Sequence, residues 1–199
     1  MSETTESPPL TLPLYDEAES IDALAARLDP ATHDERIAWM RTLKGRQMRS
    51  LFERCDGRAV TLDDVLLGGD GPMRCEGKNG LSAFNRFAKV FARIDGKGVG
   101  YNWNPPLVTW FAGPGHYVAY DATPETDGKP GELVIDYRRV PETTHPSFPP
   151  LRPNNRPIGP VLVYGYMYDL LRRVSADVFV GDSFRQLPGS APFMLVRPR

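Results

Sequence analysis

The chain has 199 residues, with 24 basic against 25 acidic side chains and a formal net charge of −1; it lacks the basic excess that marks a nucleic-acid binder. Hydrophobic residues make up 41% and charged residues 25%, enough apolar material for a packed core and too much for wholesale disorder. Twenty prolines and 18 glycines commit much of the chain to turns and loops, and no apolar run approaches the roughly 20 residues of a membrane span.

Residues 1–13 read as a flexible arm, polar and interrupted by Pro8, Pro9 and Pro13, with little to bury. The arm has neither the basic cluster nor the apolar stretch of a secretory signal, so a cytoplasmic location is expected. From Leu14 a helical period begins. Ile21, Leu24 and Leu28 recur at three and four residues, behind acidic Asp16, Glu17 and Glu19, and Asp29-Pro30 ends the element. Thr32 and Glu35 have the spacing of a capping box. A second helix follows, carrying Ile37, Met40, Met48, Leu51 and Phe52 on one side, with Gly45 weakening its middle and Gly57 closing it. Thr61-Leu-Asp-Asp64 starts one further turn before Gly68 to Pro72 break the chain. Leu81, Phe84, Phe87, Ala88 and Phe91 fall at helical spacing and predict a short amphipathic helix.

Beyond Gly96 the pattern turns to strands. Leu107–Phe111 and His116–Tyr120 flank the turn Gly113-Pro-Gly115, and Gly131–Arg138, Asp177–Phe184 and Pro192–Val196 follow. Tyr166–Val174 interrupts them with a helix-like stretch. Between Pro141 and Pro160 lie seven prolines and no period, which describes a stiff loop that either crosses a sheet face or covers a cavity. Residues 14–199 thus read as a single domain, mainly helical over 14–95 and mainly β over 96–199.

No nucleotide loop, nucleophile elbow, zincin helix or C-x-x-C pair is present. Cys55 and Cys75 are too few for a disulfide framework, and the three histidines show no paired spacing, so neither a metal nor a cofactor is expected. The distinctive feature is aromatic: Tyr101, Trp103, Trp110, His116, Tyr117 and Tyr120 crowd one hairpin region, and Tyr164 and Tyr168 follow the proline loop. Broad faces with one polar tip suit a pocket for a mostly apolar molecule, although the same residues also build ordinary cores. Alternation puts His116 and Tyr120 on one strand face. It also puts Asp136 opposite Tyr137. With the Leu133/Ile135 face packed inward, Tyr137 is inside and Asp136 outside beside an arginine; a wet barrel lumen would reverse the roles.

The stretches Asp29–Thr32, Gly77-Lys-Asn79, Gly113–Tyr117, Ile135-Asp-Tyr137, Arg152-Pro-Asn154 and Val174–Gly181 resemble a set of uncharacterised bacterial proteins of about this length. More distantly, the ending resembles lipocalin-like barrels, with a basic segment, the strand Val178-Phe-Val-Gly181 and a last apolar strand. That resemblance implies a calycin-type barrel closed around a small-molecule cavity, with a helical N-terminal addition.

The expected fold is therefore α+β, with N-terminal helices on a curved antiparallel sheet or partly closed lipocalin-like barrel of about six to nine strands. The leading expectation for function is binding of a small apolar or amphipathic molecule by Tyr101, Trp103, Trp110, Tyr117, Phe148, Tyr164 and Tyr168, without nucleic acid. The alternative is a cofactor-independent isomerase or cyclase using His116, Tyr120, Asp136 and Tyr137 for proton transfer. A third is an interaction module without a pocket.

Overall fold

A computed structural model describes residues 12–80, 85–154, 163–185 and 191–199. Three helices open the fold: α1 (Ile21–Leu28), α2 (His33–Thr42) and α3 (Gly45–Arg54). Side chains of Ser20 and Thr32 cap the first two, and Glu35 completes the box at Thr32. The single long helix expected beyond Thr32 is two, because Leu43 and Lys44 adopt extended backbone and separate α2 from α3. A one-turn helix, α4 (Leu62–Leu66), starts at a second capping box on Thr61 and Asp64.

Eight strands follow: β1 (Met73–Asn79), β2 (Arg86–Ile94), β3 (Lys97–Trp103), β4 (His116–Asp121), β5 (Leu133–Asp136), β6 (Tyr168–Arg173), β7 (Val178–Phe184) and β8 (Ala191–Val196). A fifth helix, α5 (Pro106–Ala112), lies between β3 and β4. Each strand pairs antiparallel with the next, and β1 also pairs with β8, so the sheet closes into a barrel. The α+β architecture and the barrel are as the pattern of the sequence predicts. Three local elements differ. The part of the predicted 81–91 helix within the described residues is strand β2, Tyr166–Val174 contains strand β6, and Leu107–Phe111 is helical rather than extended.

The barrel has two coverings and one filling. Outward-facing Val134, Leu170, Val178, Val180, Met194 and Val196 pack under α1–α3, with Trp39, Met48 and Leu51 pressed on them. On the opposite wall, Val90, Ala92 and Val99 are covered by Phe148. The described part of the proline loop, 141–154, therefore runs along a barrel face; 155–160 lie outside the described residues. Inside, glycines face aromatic rings across the strand pairs Gly77–Phe87, Gly100–Tyr117 and Gly181–Phe193. A Cβ on Gly100 would lie 2.3–2.5 Å from the Tyr117 ring, and one on Gly181 2.2 Å from Phe193. Small-opposite-large pairing of this kind lets a narrow barrel hold rings across its bore.

One end is plugged. Val60, Leu62, Val65 and Leu66 insert among Phe91, Ala119, Leu133, Leu171, Phe179 and Leu195. Polar contacts tie α4 to that rim: Leu62 N–H donates to Asp121 Oδ1 at 2.8 Å, Arg173 pairs with Asp64 at 2.5 Å, and Arg93 and Arg197 reach Asp63 Oδ1 and the Asp64 carbonyl. Among the described residues the other end has no such plug, and there the functional candidates gather.

Candidate functional site

At the unplugged end a cavity of about 480 Å³ opens between the strand termini and α5. Its upper wall is Leu107, Val108, Trp110, Phe111 and Ala112, with Tyr164 and Met167; Phe87 and Phe193 stand below. Helix α5 forms because Pro106 occupies its first turn, where the missing N–H costs nothing, and Gly113 ends it at φ 74°. This short helix presents Trp110, 81% exposed, and Leu107 at the mouth.

The cavity descends onto buried polar side chains, Ser183 of β7 among them, and four form one hydrogen-bonded cluster: Lys89 from β2, Asn102 from β3, Tyr137 just past β5, and Asp169 from β6. Strand alternation puts all four inside. Lys89 Nζ donates to Asp169 Oδ2 at 2.8 Å, to Asn102 Oδ1 at 3.2 Å and to the Tyr137 hydroxyl. The Asn102 amide donates to that hydroxyl at 2.8 Å. All three ammonium donors are thereby used. Asp169 Oδ1 is buried with no hydrogen-bond partner among the described residues. Rings of Tyr137, Phe193, Phe87 and Tyr117 surround the ammonium at 4.9–5.5 Å, a cation–π cage that offsets part of its lost hydration.

Burial disfavours the charged form of Lys89 and lowers its pKa, against the opposing pull of Asp169. Burial and the Asp169 charge raise Tyr137 well above an ordinary phenol, so it stays a neutral donor. Tyr164, stacked on Tyr137 at 5.3 Å and held by Asn104 at 2.8 Å, is pushed by burial to about 12. Asn154 clamps the Tyr137 and His116 backbone carbonyls at 2.9 and 2.6 Å, so the proline loop fixes the end of β5 from outside.

Of the predicted residues, Trp110, Tyr137 and Tyr164 line the cavity. Tyr117 is inside but lower, packed on Phe91 and Tyr137 and donating to the Val90 carbonyl at 3.1 Å. The remainder lie on the outer wall. His116 is buried there, its Nε2 3.2 Å from the Pro150 carbonyl and its ring beside Tyr101, and burial lowers its pKa. Tyr101 packs on Phe148. Trp103 lies under the Arg74 guanidinium, and Tyr168 stacks on Phe184 beneath Arg138. Tyr120 donates to Asp136 Oδ2 at 3.3 Å. Asp136 is bonded by Arg138 at 2.8 Å; burial alone would raise its pKa, but those hydrogen bonds outweigh it and hold it low. The structure thus separates Tyr137 from His116, Tyr120 and Asp136 by the barrel wall.

Lys89, Asn102 and Asp169 are the site residues that the sequence reading missed. The available signal was a lysine and an aspartate inside otherwise apolar strands, Phe87-Ala-Lys-Val-Phe91 and Tyr168-Asp-Leu-Leu171. Both stretches read as helix, where such residues face solvent. Among the described residues no three His, Cys, Asp or Glu side chains are grouped as a metal site requires, and no helix is long and apolar enough to cross a membrane. Comparison with known proteins finds no family model, no curated protein and no solved structure that matches the chain.

Proposed function

We propose that the barrel binds a small, largely apolar molecule in the cavity above Lys89, Asn102, Tyr137 and Asp169. One observation carries this reading: a cavity of about 480 Å³, walled mainly by aromatic and aliphatic side chains, that ends on a compact polar cluster. Its size lies within the range of small-ligand pockets, and apolar walls with few fixed polar groups are their usual make-up. Eight-stranded antiparallel barrels are wide enough for one such ligand, which is how lipocalin-like barrels are used. The proposal includes that likeness. It also includes a cytoplasmic location, where the buried thiols of Cys55 and Cys75 would stay reduced.

The test is Nile red uptake by the full chain, read as fluorescence enhancement, together with mass spectrometry of molecules released from freshly purified protein. Val108 is half-buried in α5 and lines the cavity. Val108→Trp should fill the space and abolish uptake while the circular dichroism spectrum is unchanged. Uptake that persists in this variant would place the dye elsewhere and remove the proposal's support. A second reading, proton-transfer catalysis, is favoured by the contact of Tyr137 with Lys89 and Asp169; turnover lost in Tyr137→Phe with dye uptake retained would establish it.

A further inference from the structure

Resting on that cavity as a binding site, we infer that Lys89 captures an apolar aldehyde as a protonated imine, with Asp169 as its counter-ion. The geometry supplies each part. The amine stands at the closed end of an apolar cavity, so an elongated ligand entering by the mouth meets it head first. Asp169 Oδ2, 2.8 Å away, is a base in contact with the nitrogen. The Tyr137 hydroxyl touches the same nitrogen and lies 3.3 Å from that carboxylate, placed to relay a proton. Asp169 Oδ1, without a partner among the described residues, is a spare acceptor for a hydroxyl formed there.

The step conserves charge. Asp169 takes a proton from the Lys89 ammonium, and the freed lone pair bonds to the carbonyl carbon while the C=O π pair moves to oxygen. That oxygen collects the proton and becomes the carbinolamine hydroxyl. A second proton leaves nitrogen through Asp169 or Tyr137 and reaches the same oxygen. The C–O bond then breaks, water departs, and the nitrogen lone pair closes the C=N bond. One aldehyde and one ammonium become one iminium and one water. A single positive charge faces Asp169 before and after, so no buried carboxylate is left uncompensated. Burial lowers the pKa of Lys89, which eases the first transfer, as desolvated lysine nucleophiles require.

The experiment incubates the full chain with nonanal and sodium cyanoborohydride at neutral pH and maps the reduced adduct by intact mass and peptide analysis. The expected result is one alkyl group per chain on Lys89, formed about 10-fold or more faster than on Lys44, Lys78, Lys97 or Lys129, as positioning beside a base provides. Asp169→Asn should slow labelling of Lys89 by about 100-fold, the scale of a lost general base. The double variant K89M/D169L removes both charges together and so protects the fold; it should keep the wild-type circular dichroism spectrum and lose the preferred adduct. Labelling confined to the other lysines, in protein that takes up Nile red, overturns this inference and leaves the binding reading standing. Refusal of both Nile red and nonanal overturns the two together.

Discussion

Lys89 and Asp169 are buried inside the barrel 2.8 Å apart, each nearly stripped of water. Taking both ions out of solvent costs several kcal/mol per ion, and their attraction with the added hydrogen bonds roughly offsets it; removing one partner alone leaves a naked buried charge. Lys89→Met should therefore cost about 3–5 kcal/mol, whereas K89M/D169L should recover most of that loss. Urea denaturation of wild type and both variants measures it, and a double variant no more stable than Lys89→Met would contradict the pairing. The interior glycines make an independent demand. Tyr117 cannot retreat from a methyl on Gly100, since its ring is wedged between Phe91 and Tyr137 and its hydroxyl is bonded to Val90. Gly100→Ala should cost about 1–3 kcal/mol by overpacking, and unchanged stability in the same denaturation would contradict the contact.

At the scale of elements, the strands that were legible from the sequence are those whose ends carry turn signals: Gly113-Pro-Gly115 before β4, and the sharp alternation through β5 that put Tyr137 and Asp136 on opposite faces. The capped helices α1, α2 and α4 were legible for the same local reason. Strands β2 and β6 were not, because helices or the proline loop cover the outer face of each, so both faces are buried and the two-residue period vanishes. Phe84, Phe87 and Phe91 then mimic a helix, and with strand read as helix the inward direction of Lys89 is lost. In α5 the error ran the other way: β-prone Val108, Thr109 and Trp110 were outweighed by Pro106 at the start and Gly113 at the end. One contact between elements carries a pH dependence. Asp177, between β6 and β7, faces Arg36 of α2 at 3.0 Å and also Arg197 and Arg199. Burial alone would raise its carboxyl, but hydrogen bonds from the two C-terminal arginines, with Arg36 close by, hold it below the ordinary carboxylate range. A depressed folded-state pKa means stabilisation present in full above the unfolded value and lost as pH falls through the folded one. Asp177→Asn should cost about 3–5 kcal/mol at neutral pH. It should also flatten the acid limb of the stability curve below about pH 4; an unchanged acid limb would mean that another carboxylate governs it.

For the whole molecule, the question is whether the helical layer and the barrel are one cooperative unit. Their shared surface argues that they are. The wall formed by β5–β8 carries an apolar patch on its outer side, and without α1–α3 it would expose Val134, Leu170, Val178, Val180 and Met194 together, a patch that folded proteins seldom leave open. The helices depend on the wall equally, since Trp39, Met48 and Leu51 are buried in one cluster with it, and isolated helices of eight to ten residues are marginal in water. Charge ties the layers as well: Arg172 on β6 holds Glu132 at 2.6 Å, donates to the Phe52 carbonyl of α3 at 2.7 Å and lies over the Phe52 ring. Losing either layer thus uncovers apolar surface and breaks buried ion pairs in the other, which is the condition for two-state unfolding. The tryptophans separate the layers as reporters, because Trp39 sits in α2 and Trp103 and Trp110 stand at the barrel's open end. Thermal and urea transitions of Trp39, read in W103F/W110F, should coincide with those of far-ultraviolet circular dichroism, which the barrel strands share. A Trp39 transition that clearly precedes the circular dichroism change would mean that the barrel stands without its helices. A ligand held by the barrel alone should then raise only the later of the two transitions, whereas in one cooperative unit it raises both by the same amount.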